Sequence, residues 1–167
     1  MSHITFKGQP VQIGGLFPRV GGTAPMFTLT GADLADVNLN KFNGKKKIIN
    51  IVPSLDTKVC ATSARKFNEA VAQLPNVVLL NVSMDLPFAQ TRFCETERLA
   101  HIISLSAFRH PAFGVDFGVH IAAGPLTGLL ARAVVVLDER NQVVYAQLVP
   151  EMTQEPDYDA ALQAVRA

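Results

Sequence analysis

The sequence of 167 residues has only two cysteines, almost no excess of either charge and no long apolar run. Fifteen Lys and Arg residues against fourteen Asp and Glu leave a net charge of +1, so the chain has no overall field that would hold a nucleic-acid backbone or an acidic membrane. Its longest uncharged runs, 70–84 and 117–131, are interrupted by proline and polar side chains, whereas a membrane-spanning helix needs roughly twenty apolar residues. We therefore predict neither nucleic acid nor a membrane as a partner.

The N-terminus also lacks a basic stretch followed by an apolar segment, so we expect no export signal and a cytoplasmic location. Two cysteines are too few for a disulfide scaffold, which leaves Cys60 and Cys94 as either inert core thiols or reactive groups. The hydrophobic fraction of 49% predicts a sizeable core. Because domains usually contain about 100 to 200 residues, we expect one domain over residues 1–167.

Alternating and β-branched runs predict most of the strands. Residues 4–7 and 11–13 alternate in type around an interruption at 8–10, which is typical of an N-terminal β-hairpin. The compact run 48–52, stopped by Pro53, predicts a central strand. A second buried strand is expected at 77–82, and a strand hairpin at 133–137 and 143–148. The basic run 45–47 lies between a turn and a strand, and we interpret it as a solvated loop.

Helical spacing completes the pattern. Apolar residues recur at three and four positions between 64 and 74, and the helix that they predict begins near Asp56 or Thr57, either of which can cap it. Further helices are expected at 86–99 and 158–165. The order strand, helix, strand, helix, strand hairpin and helix predicts an α/β fold with a mixed central sheet between helices, which is the order of the thioredoxin-like fold.

Two residues of this pattern could carry chemistry. A cysteine near a helix is more often a small buried hydrophobic residue than a nucleophile, but Cys60 falls in the first predicted helical turn, where free NH groups and the positive end of the helix favour a thiolate. Arg132 directly precedes the strand 133–137. Its charge either leaves the sheet edge into solvent or, if that strand lies beside 48–52, reaches Cys60.

Metal binding is a poor alternative. Cys60 and Cys94 are far apart in the sequence, and the four histidines show no paired ligand spacing. Neither cysteine has a partner at the Cys-x-x-Cys spacing either. We therefore predict no metal and no cofactor.

Three segments carry a resemblance to a known family. Residues 53–60, from Pro53 through Thr57 to Cys60, resemble the peroxiredoxin motif of Pro, three residues, Thr, two residues and Cys. The segment 88–94, which ends at Cys94, and the segment that begins at Arg132 resemble the thiol peroxidase branch, the atypical two-cysteine peroxiredoxins. The resemblance runs over nearly the whole chain.

This resemblance implies a thioredoxin-dependent peroxidase that reduces hydrogen peroxide and organic hydroperoxides and forms homodimers. Cys60 would attack the peroxide and become a sulfenic acid, and Cys94 would then close an intrachain disulfide. Thr57 would hydrogen-bond the thiolate and the peroxide, Pro53 would shield the sulfur from water, and Arg132 would stabilise the anion. Two alternatives stay open: a peroxide-responsive sensor that uses the same disulfide, and a thioredoxin-fold protein whose cysteines are structural.

Overall fold

The computed structural model describes residues 3–167 as a central mixed sheet flanked by helices. The helices are α1 (Lys58–Val71), α2 (Pro87–Glu97), α3 (Ala112–Asp116) and α4 (Tyr158–Arg166), with a 3-10 helix at Leu39–Phe42. The strands are β1 (Ile4–Phe6), β2 (Gln9–Val11), β3 (Ile13–Gly14), β4 (Thr28–Thr30), β5 (Asp36–Asn38), β6 (Lys46–Ile51), β7 (Val77–Ser83), β8 (Ile102–Ser106), β9 (His120–Ile121), β10 (Ala133–Leu137) and β11 (Val143–Leu148). Within the described part of the chain, no helix is long and apolar enough to cross a bilayer.

The seven-stranded sheet has the order β11-β10-β6-β7-β8-β4-β5. Strands β6, β7 and β8 are parallel, while β10 runs antiparallel to both β6 and β11. Successive residues of the buried central strands point to opposite faces: Ile48 and Val134 pack with α1 and α4, and Ile49 and Val135 belong to the core on the other side. This arrangement confirms the predicted mixed sheet and thioredoxin-like fold.

The N-terminal hairpin is also confirmed, but its turn lies earlier than predicted. β1 and β2 pair antiparallel around Lys7 and Gly8, and both turn residues have positive φ, at 51° and 79°. This is the conformation of the tight turns that match strand twist, so Pro10 falls within β2 instead of interrupting the hairpin. Ile13 does not extend the hairpin. It lies in β3 and pairs with Ile121 of β9.

The interpretation of the basic run 45–47 as a solvated loop holds for the exposed Lys45 but is wrong for the other two lysines. Lys46 and Lys47 lie in β6, and Lys47 is fully buried. The Lys47 ammonium donates to Asn141 Oδ1 at 2.6 Å and to the carbonyl oxygen of Asp138 at 3.1 Å. Burial lowers the pKa of Lys47, and the carboxylates of Asp138 and Glu139 oppose that shift. The acceptors come from the turn between β10 and β11, almost a hundred positions along the chain, so no local pattern could have revealed them.

Candidate active site

Cys60 lies at the point where β6 gives way to α1, close to the carboxyl end of the parallel strands. Of the two capping residues that the sequence leaves open, Asp56 and Thr57, the N-cap of α1 is Thr57, and its Oγ1 accepts a hydrogen bond from the Cys60 backbone NH at 3.2 Å. The same hydroxyl donates to the Ser54 carbonyl oxygen at 3.2 Å. Cys60 is therefore fixed in the first turn, where the positive end of the helix favours negative charge.

Arg132 reaches Cys60 because of the sheet register. β10 pairs with β6 so that Ala133 lies opposite Ile51, which brings the residue before β10 close to the residues after β6. Nη1 of Arg132 lies 3.1 Å from Cys60 Sγ, and Nε and Nη2 both donate to the Met152 carbonyl oxygen, at 3.0 and 2.8 Å. Arg132 is only 2% exposed. Of the two alternatives for Arg132, the contact with Cys60 is the one that the structure shows.

The charge on Arg132 has no carboxylate partner among residues 3–167. Cys60 itself is fully buried, packed with Val52, Leu55 and the half-buried Phe93. A buried cation without a counter-charge is costly, and a thiolate on Cys60 would supply that charge. The Arg132 guanidinium therefore faces the Cys60 sulfur in a site that is otherwise apolar.

A cavity of about 180 Å³ is lined by Arg132, whereas the fully buried Cys60 is not among its lining residues and lies behind the guanidinium and Thr57. Three of the predicted site residues, Pro53, Thr57 and Arg132, line it together. The rest of its wall is mostly apolar: Ser54, Lys58 and Val59 come from the segment around Thr57, and distant segments supply Phe6, Leu126, Leu129, Met152 and Thr153. Sequence reasoning missed Leu126, Leu129 and Met152 because they lie in irregular segments, and it missed Phe6 because the alternation that predicts its strand does not show what the side chain faces.

Cys94 lies apart from this cluster. It is half-buried on α2, and its Sγ is 3.4 Å from Ser104 Oγ on β8. Burial raises the pKa of Cys94, and the hydrogen bond with Ser104 partly offsets that shift. Both cysteines are free thiols in this structure. The helix that carries Cys94 nevertheless touches the Cys60 cluster through the neighbouring side chain of Phe93.

Asp85 joins the loop before Cys60 to the start of α2. Its Oδ1 accepts from Ser54 Oγ at 3.1 Å, and its Oδ2 accepts from Leu55 N at 2.9 Å and Ser83 Oγ at 2.7 Å. Gln90 of α2 donates to Ser83 Oγ at 3.1 Å. Sequence reasoning missed Asp85, although an acidic residue just after a buried parallel strand is a usable signal for a functional position.

Asp85→Asn is expected to loosen both segments that meet at this carboxylate. The amide turns an acceptor oxygen into a donor that faces other donors, and a hydrogen bond to a charged group is worth about 1.5–3 kcal/mol. We expect amide hydrogen exchange at residues 54–60 and 86–97 to accelerate at least about ten-fold. Asp116→Asn, at an exposed carboxylate on α3, is the matched control. Unchanged protection in Asp85→Asn would show that the carboxylate does not hold these segments.

A buried thiol at a helix start, in contact with a guanidinium at the carboxyl end of a parallel sheet, defines a class of thioredoxin-fold redox proteins in which one sulfur does the chemistry. The comparisons with known proteins agree with that class. A family model described as Redoxin matches residues 19–162. A curated thiol peroxidase of Mycobacterium bovis is 51% identical over 167 residues, covering 100% of both chains.

Solved structures give the same result. A peroxiredoxin-like protein from Aquifex aeolicus superimposes with a TM-score of 0.93 at 41% identity, covering 99% of this chain and 96% of that one. A thiol peroxidase from Chromobacterium violaceum shares the fold, with a TM-score of 0.92 at 24% identity, and covers 99% and 95% of the two chains. The chain belongs to the thiol peroxidase family of redoxins. Membership supports a peroxidase that takes a peroxide as substrate and a thiol as reductant.

Proposed function

We propose that this chain is a thioredoxin-dependent peroxidase that reduces hydrogen peroxide and organic hydroperoxides through Cys60 and Cys94. The observation that carries the proposal is the 3.1 Å contact between Arg132 Nη1 and Cys60 Sγ. It joins a buried cation to the one cysteine that lies at a helix start, beside a cavity large enough for a substrate. Nucleophilic thiol chemistry needs this combination of a stabilised thiolate and an adjacent binding space.

In the first step, the Cys60 thiolate attacks the terminal oxygen of the hydroperoxide. A sulfur–oxygen bond forms, the oxygen–oxygen bond breaks, and the departing alkoxide or hydroxide takes up a proton, which yields a sulfenic acid and an alcohol or water. We assign to Arg132 the stabilisation of the sulfur and of the charge that moves onto the departing oxygen. The Thr57 hydroxyl donates its proton to the Ser54 carbonyl oxygen, so we propose that Thr57 Oγ1 orients the hydroperoxide by accepting its O–H proton with the remaining lone pair. Pro53 limits the access of water from its side of the cavity.

In the second step, Cys94 attacks the sulfur of the Cys60 sulfenic acid, forms the intrachain disulfide and releases water. A disulfide requires Cα atoms within about 7 Å. Burial beside Ser104 disfavours the Cys94 thiolate that must attack. We therefore propose that the segment carrying Cys94 opens locally, together with the first turn of α1.

The properties of α2 fit such an opening. Its N-cap, Leu86, makes no side-chain capping bond, and only Pro87 and Gln90 among its residues are buried. A helix with few buried contacts and no cap has a low local free energy of unfolding.

The exposed Leu86 and Phe88 side chains also offer apolar surface for a second copy of the chain, and we propose a homodimer. A cytoplasmic location belongs to the same proposal because it would supply thioredoxin as the reductant.

Turnover with a defined reductant tests the proposal. Catalytic amounts of the protein are mixed with thioredoxin, thioredoxin reductase, NADPH and either hydrogen peroxide or cumene hydroperoxide, with Cys60→Ser as the blank. We expect NADPH oxidation to continue for many equivalents and to stop in the blank. Oxidation limited to one equivalent would favour the sensor alternative instead. If the cysteines are structural, mass spectrometry after a peroxide pulse will find neither an oxidised Cys60 nor a Cys60–Cys94 bridge.

A further inference from the structure

The N-terminal hairpin contributes directly to the wall of the cavity beside Cys60. Phe6, at the end of β1, lines the cavity together with Leu126, Leu129 and Met152. The hairpin packs on the body of the protein through these side chains and takes no part in the chemistry proposed above. The position of the hairpin therefore determines the shape of the part of the cavity that lies beyond the two reacting oxygen atoms of a bound hydroperoxide.

The Glu151 carboxylate is one of the groups that attach this hairpin to the body of the protein, beside the buried Ile4 and the backbone hydrogen bonds from Thr5 N to the Pro150 carbonyl oxygen and from Met152 N to the Thr5 carbonyl oxygen. Glu151 Oε1 accepts hydrogen bonds from Gly8 N at 2.8 Å and from Thr5 Oγ1 at 3.0 Å, both on the hairpin. Its Oε2 accepts from the backbone NH and the hydroxyl of Thr153, at 2.8 and 2.7 Å. The backbone NH groups of Gly8 and Thr153, followed by the hydroxyl groups, lower the pKa of Glu151 to about 2. The carboxylate is thus charged at neutral pH and has donors on both sides.

The segment after β11 that carries Glu151 also holds Arg132. The backbone NH of Met152 donates to the Thr5 carbonyl oxygen at 2.8 Å, while the Met152 carbonyl oxygen accepts both bonds from Arg132. Met152 is only 2% exposed, so its contact with Arg132 is anchored in the core. The Glu151 side chain instead reaches outward to the hairpin. The hairpin is therefore joined to the segment that holds Arg132 both by the Glu151 side chain and by the Met152 NH, and a substitution of Glu151 weakens only the first of these attachments.

We propose that Phe6 is a specificity-determining residue for the organic group of a hydroperoxide, and that Glu151 is the positioning residue that holds Phe6 over the cavity. The inference rests on the proposed peroxidase function. Hydrogen peroxide has no atoms beyond the two oxygens that react beside Arg132, so it gains nothing from Phe6. An organic hydroperoxide carries its apolar group into the cavity of about 180 Å³, and an apolar cavity of about 150 Å³ is known to hold benzene.

The rate constants for Cys60 oxidation by two substrates distinguish a specificity role of Phe6 from a general effect on activity. Cys60 oxidation is followed by rapid quench and mass spectrometry, since the chain has no tryptophan to report it. For Phe6→Ala, we expect the rate constant with cumene hydroperoxide to fall about ten-fold, the value of a partly lost phenyl contact. The rate constant with hydrogen peroxide should stay within about two-fold of the wild type, because that substrate makes no such contact. Phe108→Ala, at an exposed ring that does not line this cavity, is the matched control.

Glu151→Gln tests the positioning role. We expect it to lower the ratio of the two rate constants in the same direction as Phe6→Ala, and to accelerate hydrogen exchange of the amides at 4–11. The double variant with Phe6→Ala and Glu151→Gln should show the same ratio as Phe6→Ala alone. Glu151 acts on specificity only through the Phe6 side chain that it positions, and that side chain is absent in both variants. Glu139→Gln makes the same chemical change at an exposed carboxylate and should leave the ratio unchanged.

The outcomes distinguish this inference from the proposed function. If the wild type oxidises Cys60 with neither hydroperoxide, the peroxidase proposal itself fails. If the wild type reacts with both and Phe6→Ala leaves their ratio unchanged, the role of Phe6 is wrong. Equal losses with both substrates in Glu151→Gln would show that Glu151 acts through Arg132 or through overall stability. Partial recovery of the ratio in Phe6→Leu would support an apolar contact.

Discussion

Arg132→Met lowers the rate constant for Cys60 oxidation by a hydroperoxide about 10²–10³-fold, the usual effect of removing one donor aimed at developing negative charge. Methionine keeps much of the length and the apolar stem of arginine. It removes the Nη1 contact with Cys60 Sγ and both bonds to the Met152 carbonyl oxygen. The loss is expected with hydrogen peroxide and with cumene hydroperoxide alike, because the reacting oxygen atoms are common to both.

Ionisation of the thiol alone does not explain an effect of this size. Lowering the pKa of a thiol from about 8.5 to about 6 raises the thiolate fraction at neutral pH roughly thirty-fold. Over the same interval the nucleophilicity falls roughly ten-fold, if the slope for disulfide exchange also applies to peroxides. The net gain is only a few-fold. The remaining acceleration must come from interactions that strengthen in the transition state.

Two measurements on Arg132→Met separate these contributions. A pH titration of alkylation gives the thiolate content of Cys60, and quenched-flow oxidation gives the rate constant with peroxide. We expect the rate constant to fall far more than the thiolate content does. Arg140→Met removes an exposed guanidinium between β10 and β11 and should change neither quantity. Equal changes in rate and thiolate content would mean that Arg132 acts on ionisation alone.

Cys94→Ser is expected to stop thioredoxin-dependent turnover, by at least about 100-fold, while the first oxidation of Cys60 keeps its wild-type rate. A serine hydroxyl retains the polar contact with Ser104 but cannot condense with a sulfenic acid to a disulfide. The oxidised protein should therefore accumulate as the Cys60 sulfenic acid. Trapping with dimedone and mass spectrometry measures that species directly.

The same variant tests the order of events. If Cys94→Ser turned over at the wild-type rate, thioredoxin would reduce the sulfenic acid without an intrachain disulfide, and Cys94 would have no resolving role. If the first oxidation also slowed, Cys94 would contribute to the Cys60 site before any disulfide forms. Cys60→Ser supplies the baseline for both measurements.

Local sequence patterns predicted the site residues that lie in or next to regular helices and strands. The Thr57 cap follows from residue type and position, and the contact of Arg132 with Cys60 follows once the strand after it lies beside β6. Both inferences depend on regular elements, whose direction and spacing are fixed by backbone geometry.

The remaining parts depend on tertiary contacts that no periodicity records. Phe6, Glu151 and the Met152 carbonyl come together only because the hairpin docks beside the segment after β11. Lys47 is a further residue whose position depends on tertiary contacts that local sequence patterns do not record. Its ammonium enters the core because a distant turn supplies two oxygen acceptors, and composition alone assigns such a residue to the surface.

The unmatched charge of Arg132 has a consequence for the oxidised protein. Under the proposed mechanism a thiolate balances that guanidinium, but a disulfide sulfur is neutral, so oxidation would leave an enclosed cation whose one remaining hydrogen-bond partner among residues 3–167 is the Met152 carbonyl oxygen. Uncompensated charge inside a protein is strongly destabilising. On this proposal, the closed arrangement around Cys60 belongs to the reduced protein, and each oxidation of Cys60 would remove one of the interactions that stabilise it.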